Sequence, residues 1–140
     1  MSSTTDIFSK TVQQSHEWLL DLMDELGWTD ERKAQRALKA CLHALRDRLT
    51  VTEAVDLGAQ LPTLLRGMYY EGWRPAQCPL KERKKEEFLA HILERFRPQE
   101  PVDAEKVASA AFAVLSKRVT NGEIEDVRHI LPREVRDLWY

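Results

Sequence analysis

Arg-Leu-Thr-Val-Thr-Glu-Ala-Val-Asp-Leu-Gly-Ala-Gln-Leu-Pro-Thr-Leu-Leu-Arg-Gly-Met-Tyr, residues 48–69, returns at 118–139 as Arg-Val-Thr-Asn-Gly-Glu-Ile-Glu-Asp-Val-Arg-His-Ile-Leu-Pro-Arg-Glu-Val-Arg-Asp-Leu-Trp. The offset is 70 positions with no gap. It brings Arg48 onto Arg118, Thr50 onto Thr120, Glu53 onto Glu123, Asp56 onto Asp126, Leu61-Pro62 onto Leu131-Pro132 and Arg66 onto Arg136. Outside these stretches the same shift sets Leu19 on Leu89, Ala34 on Ala104, Ala40 on Ala110 and Leu45 on Leu115. Chance alignment of a helix-rich chain matches alanines and leucines, but it does not hold Arg, Thr, Glu, Asp and Pro in one register. The pattern predicts a tandem duplication of a unit of about 70 residues.

The matched residues also predict how each unit folds. Thr50 and Glu53 have capping-box spacing: the hydroxyl accepts the Glu53 N–H and the carboxylate returns to the Thr50 N–H. Thr120 and Glu123 repeat it. A short third helix starts there in each unit, and Pro62 or Pro132 opens a fourth, where a missing N–H costs nothing.

Upstream, Phe8, Val12, Leu19, Leu22 and Leu26 form one apolar stripe at helical spacing, which predicts a first helix over about residues 5–26 ended by Gly27. Asp30 caps a second helix, about 31–49, with Ala34, Ala37, Leu38, Cys41, Leu42, Leu45 and Leu49 inward. In the second unit Phe88, Leu89, Ile92, Leu93 and Phe96 mark a helix over about 81–96. Asp103 caps the next, which buries Val107, Ala108, Ala111, Phe112 and Leu115. Residues 71–80, Glu-Gly-Trp-Arg-Pro-Ala-Gln-Cys-Pro-Leu, hold two prolines and a glycine and form a linker. No strand-like alternation is present. The expectation is an all-α protein: a first repeat at 1–70, a linker at 71–80 and a second repeat at 81–140. Its eight helices, four long and four short, pack into one bundle about a pseudo-two-fold or in a solenoid-like stack, with a shared core.

Composition narrows function. Of 140 residues, 43% are hydrophobic and 31% charged, a globular balance, and the net charge of −2 sets up no field for nucleic acid or an anionic membrane. The polar start lacks the regions of a secretion signal, and no apolar run approaches the roughly 20 residues of a membrane span. Two cysteines are too few for a disulfide framework. These features predict a cytoplasmic protein.

These residues carry a family likeness. It lies in Gly-Glu-Ile-Glu-Asp-Val at 122–127, Leu-Pro-x-x-Val-Arg-Asp-Leu-Trp at 131–139, and Tyr69-Tyr-Glu-Gly-Trp-Arg-Pro75. With the Ala-rich helix ending Leu-x-x-Arg-Leu, they resemble the prokaryotic family catalogued as domain of unknown function 2267, over nearly the whole chain. The resemblance implies an all-helical, duplicated fold and no particular activity.

Candidate chemistry is sparse. A di-iron bundle needs Glu-x-x-His on two helices, and none of His16, His43, His91 or His129 follows a glutamate at that spacing. Cys41 lies on an apolar helix face, and Cys78 has no histidine near it in sequence. No metal, cofactor or catalytic set is expected. The repeated Arg48/Arg118, Glu53/Glu123, Asp56/Asp126 and Arg66/Arg136 set either braces each unit or rings a groove in which guanidinium groups hold an anion. Tyr69, Tyr70, Trp73, Trp139 and Tyr140 either close the core or form a face for a partner helix. Lys81–Glu87 reads as a solvated helix start. The expected function is a non-enzymatic helical protein-interaction module of the bacterial cytoplasm, binding another protein or its own copy. Candidate contacts are Tyr69, Tyr70, Trp73, Trp139, Tyr140, Arg48, Arg118, Arg66 and Arg136. The alternative is a small-molecule or anion-binding helical protein, with nucleic-acid binding ranked last.

Overall fold

A computed structural model describes residues 3–139, with side chains from Asp6 onward, so Tyr140 lies outside the described residues. All regular structure among them is helical. The elements are α1 (Ser3–Leu26), α2 (Glu31–Arg46), α3 (Val51–Ala59), α4 (Thr63–Tyr70), a 3-10 turn (Pro75–Gln77), α5 (Lys85–Leu93), α6 (Ala104–Arg118), α7 (Asn121–Ile130) and α8 (Arg133–Arg136). No helix among these residues is long and apolar enough to cross a membrane.

Helix ends follow local chemistry. Gly27 takes φ +68, and the Trp28 N–H reaches back to the Met23 carbonyl at 3.0 Å, which closes α1 as a Schellman turn. Asp30 accepts from the Lys33 N–H at 3.1 Å, Thr50 from Glu53 at 3.2 Å, Asp103 from Lys106 at 3.1 Å and Thr120 from Glu123 at 3.4 Å. Pro62 and Pro132 stand one position earlier than expected, as N-caps and not as first helical residues. Neither can donate or cap with its side chain. For α4 the deficit is met from a distance, because the Leu64 N–H donates to Thr11 Oγ1 of α1 at 2.8 Å.

Three expectations need correction. The helix expected over 81–96 shrinks to α5, since residues 81–84 have no regular structure and turns at 94–96 end it. Only α1, α2 and α6 are long, and the last helix is a single turn of four residues. The linker contains a 3-10 turn that begins at Pro75.

α1 packs on α2, α4 and α6, α2 also meets α4, α5 and α6, and α3 meets α4 and α7. Both halves feed one buried cluster: Trp18, Leu22, Leu45, Leu65 and Tyr69 from the first, Phe88, Phe112, Val127 and Trp139 from the second. Trp139 stacks on Phe112 at 4.3 Å between ring centres, and its indole N–H donates to Ser116 Oγ at 2.6 Å. The Ser109 hydroxyl donates to the Leu138 carbonyl at 3.0 Å, so two bonds hold the end of the described chain against α6.

Gly58 of α3 is buried beneath the Tyr69 and Tyr70 rings, and a Cβ there would collide with the Tyr70 hydroxyl and come within 2.9 Å of its ring. Tyr70 is itself wedged between Tyr69 and Trp73, at 5.0 and 5.3 Å. Helix propensity favours alanine over glycine by about 1 kcal/mol, while forced overpacking costs about 1–3 kcal/mol. Packing should win: Gly58→Ala lowers the urea midpoint by an amount equivalent to about 1–2 kcal/mol with an unchanged m value. A gain in stability would show that α4 can move off α3 freely.

Candidate functional site

The polar residues matched at offset 70 do not act as four equivalent pairs. Arg66 on α4 donates to the carbonyls of Gly58 (2.8 Å), Ala59 (3.2 Å) and Leu61 (2.9 Å), and Arg136 donates to Leu131 at 3.0 Å. Each closes the free carbonyl end of the short helix before it, a role that cationic side chains fill well. Arg48 and Arg118 diverge. Arg118 is on the surface, 2.7 Å from Asp21 of α1, and the pairing holds the Asp21 carboxyl below its usual range. Arg48 is 3% exposed. It lies over the Phe88 ring at 4.9 Å, donates to the Ala44 carbonyl at 3.2 Å and stands 3.4 Å from Glu82.

The expected capping box is half formed. Thr50 and Thr120 accept from the third residue, but the glutamates do not return to the threonine N–H groups. α3 and α7 lie against each other, and Glu53 and Glu123 turn into that contact. Carboxylate oxygens of Glu53, Asp56 and Glu123 lie within 4.8 Å of one another. One oxygen each of Glu53 and Glu123 is shut off from solvent without a hydrogen-bond partner. Burial, the Glu53 carboxyl and the charges of Asp56 and Asp126 together push Glu123 up to about 8. Two carboxyl groups this close cannot both ionise cheaply, so the pair can hold one shared proton near neutral pH. The three residues also offer oxygen donors to a hard cation, though fewer than the six to eight that calcium takes.

The linker is held at both ends by α2. Arg46, 3% exposed, donates to the carbonyls of Tyr69 (2.7 Å) and Glu71 (2.9 Å) and to Asp47 (2.9 Å). The Leu80 N–H donates to the Asp47 carbonyl at 2.8 Å. Beside Arg46, His43 Nδ1 accepts from Arg95 at 3.0 Å and its Nε2–H donates to the Met68 carbonyl at 2.8 Å. Burial and the neighbouring cations lower its pKa, and both ring nitrogens are taken up by these bonds. Sequence reading missed Arg46 and His43 because their positions at offset 70 hold Ser116 and Ala113, so the repeat gave no signal. Between the returning linker, Arg48 just beyond α2 and the turn from α7 to α8, a groove of about 530 Å³ opens, lined by Arg48, Gln77, Leu80, Lys81, Arg83 and Pro132 among others.

With this geometry in place, the family model described as "Uncharacterized conserved protein (DUF2267)" matches residues 15–138. The chain belongs to this family. No curated protein matches the sequence. In this DUF2267 member the candidate aromatics are mostly interior: Tyr69 and Trp139 are buried and offer no surface to a partner. Tyr70 and Trp73 are half-buried and stacked on each other. Cys41 is buried, which raises its thiol pKa beyond any reactive range, and burial with Asp47 nearby also raises Cys78.

The raised Glu123 predicts a pH dependence opposite to that of ordinary acid denaturation. A carboxyl whose folded pKa exceeds its unfolded one binds more protons folded than unfolded between about 4.5 and 8. Its contribution is therefore fully present below the lower value and lost as pH rises through the upper one. The melting temperature should fall from pH 5.5 to pH 8.5. Glu123→Gln should flatten that slope and add about 1 kcal/mol at pH 8.5, a figure discounted for partial exposure. A parallel pH profile in the variant would mean that the two glutamates do not share a proton.

Proposed function

We propose that this chain is a non-enzymatic helical interaction module of the bacterial cytoplasm, built from two tandem copies of one unit about a pseudo-two-fold, and that it pairs with a second copy of itself through α1. The tandem reading is supported by the matched caps at Thr50 and Thr120. It is supported too by the near-identical backbone at Pro62 (φ −57, ψ 148) and Pro132 (φ −56, ψ 149), and by the meeting of the equivalent helices α3 and α7.

The observation that carries the interaction reading is the fate of the α1 stripe. Leu19, Leu22 and Leu26 are buried in the bundle, whereas Val12 and Phe8, about two and three turns before Leu19 on the same face, are 54% and 65% exposed. The helix therefore extends its apolar face beyond the core that covers the rest of it. Next to it, Val12, Leu19, Leu38, Leu64, Leu65 and Met68 line an apolar groove of about 180 Å³ between α1, α2 and α4. The Leu64 side of this groove is open to solvent. One molecule thus offers both a projecting stripe and an adjoining slot. That is the self-complementarity an isologous two-fold pair requires, with Phe8 of each copy entering the groove of the other.

Burial of an aromatic side chain contributes about 2 kcal/mol, and a symmetric contact counts it twice. Sedimentation velocity on the full chain should show a dimer at micromolar concentration. Phe8→Glu should weaken association by roughly several hundredfold while leaving the helical spectrum unchanged. A monomer at several hundred micromolar, or a dimer indifferent to Phe8→Glu, overturns the pairing.

A further inference from the structure

We propose that the groove between the linker and the α7–α8 turn binds a small phosphorylated compound, with Arg48 as its inner wall and Lys81 and Arg83 at its mouth. This site lies apart from the α1 surface, and either can fail alone.

Arg48 is costly as a purely structural residue. Desolvation lowers its pKa, and a buried guanidinium is retained at low cost only when its N–H groups are met. Here they are not: Nε is closed off from solvent with no acceptor, Nη1 has one carbonyl, and Nη2 has Glu82 at 3.4 Å. Glu82 is committed more tightly elsewhere, to His91 at 2.8 Å. The other acids near Arg48 are also engaged. Asp47 is held by Arg46, and Glu87 accepts from the Lys84 N–H at 3.1 Å. A buried arginine with spare donors beside a groove of about 530 Å³ is suited to an anion that reaches it from that side.

The lining charges specify which anion. Arg48, Lys81 and Arg83 oppose Glu82 alone, which leaves two positive charges across the groove. An entering monocarboxylate would gain little over Glu82, which already stands against Arg48. A phosphate dianion brings more charge and more acceptor oxygens than the carboxylate it displaces, and Arg forks match its geometry. The walls of Leu80, Pro79, Pro132 and Ile130 are apolar and accommodate an organic body attached to the phosphate. The counterpart Arg118 supports a specific role. At that position the second half manages with an exposed arginine paired to Asp21, so the fold itself does not require a buried guanidinium there.

The test is a titration of the full chain with inorganic phosphate, exchanged for chloride at constant ionic strength, and followed by nitrogen–proton correlation spectra. The expected result is saturable shifts of the Arg48 Nε–H and of the Gln77 and Leu80–Arg83 amides, with half-saturation at about 1–10 mM. Lys81→Ala with Arg83→Ala, both exposed, should keep the fold and weaken binding about tenfold, and Arg48→Gln should abolish it. Shifts that stay linear, that centre on Lys117 and Arg118, or that saturate equally well in the double variant each overturn the proposal.

Discussion

The buried guanidinium of Arg46 organises much of this molecule. It takes the carbonyls of Tyr69 and Glu71 on one side and the Asp47 carboxylate on the other, so a charge with almost no solvent has three partners. An ion in that position is tolerated because its donors are satisfied; removal of an acceptor would strand it. The consequence is geometric. The end of α4 is tied to the end of α2, so the linker must leave and return at one place, where the Leu80 N–H closes the circuit on Asp47. The groove over Arg48 exists because that path is imposed. So does the seat of Tyr69, whose hydroxyl donates to the Ala54 carbonyl at 2.7 Å while its ring fills the core.

The contact of α3 with α7 shows a different use of charge. Several surface carboxylates here sit near cations: Glu100 is 2.8 Å from Arg36, and Asp21 is flanked by Lys117 and Arg118. Glu53 and Glu123 face each other, with Asp56 and Asp126 adding to the negative field. Arg66 and Arg136, the cations equivalent in the two halves, are spent on helix-end carbonyls and leave the acids unneutralised. A proton is the cheapest counter-charge in that arrangement, which ties packing of the two halves to pH.

Both proposed sites lie where the two halves of the chain differ. Caps, prolines and carbonyl-closing arginines recur and serve the fold. Arg46, His43, the buried state of Arg48 and the uncovered stretch of α1 have no equivalent in the other half, and these features define the groove and the apolar face. Of the aromatic residues that the sequence offered either as core closures or as a partner face, Tyr69 and Trp139 went inward. Tyr69 and Trp139 each have a hydrogen bond that lets a polar ring be buried, to Ala54 and Ser116 respectively.

By itself the sequence determined the helices, their caps, the left-handed turn at Gly27, the inward faces and the linker, because each depends on residues within about one or two helical turns. Helix lengths in the second half escaped it. Whether Lys81–Lys84 coils into α5 or stays irregular depends on tertiary partners such as Arg48, 3.4 Å from Glu82, and local propensity contains no such information. Only the tertiary structure decided the direction of Glu53 and Glu123. A capping box and a carboxylate pair need the same residues at the same spacing, and proximity of a second helix chooses between them. It likewise decided that Arg48 is buried while Arg118 is exposed. Burial is a property of what lies on top, and the linker covers only one of the two.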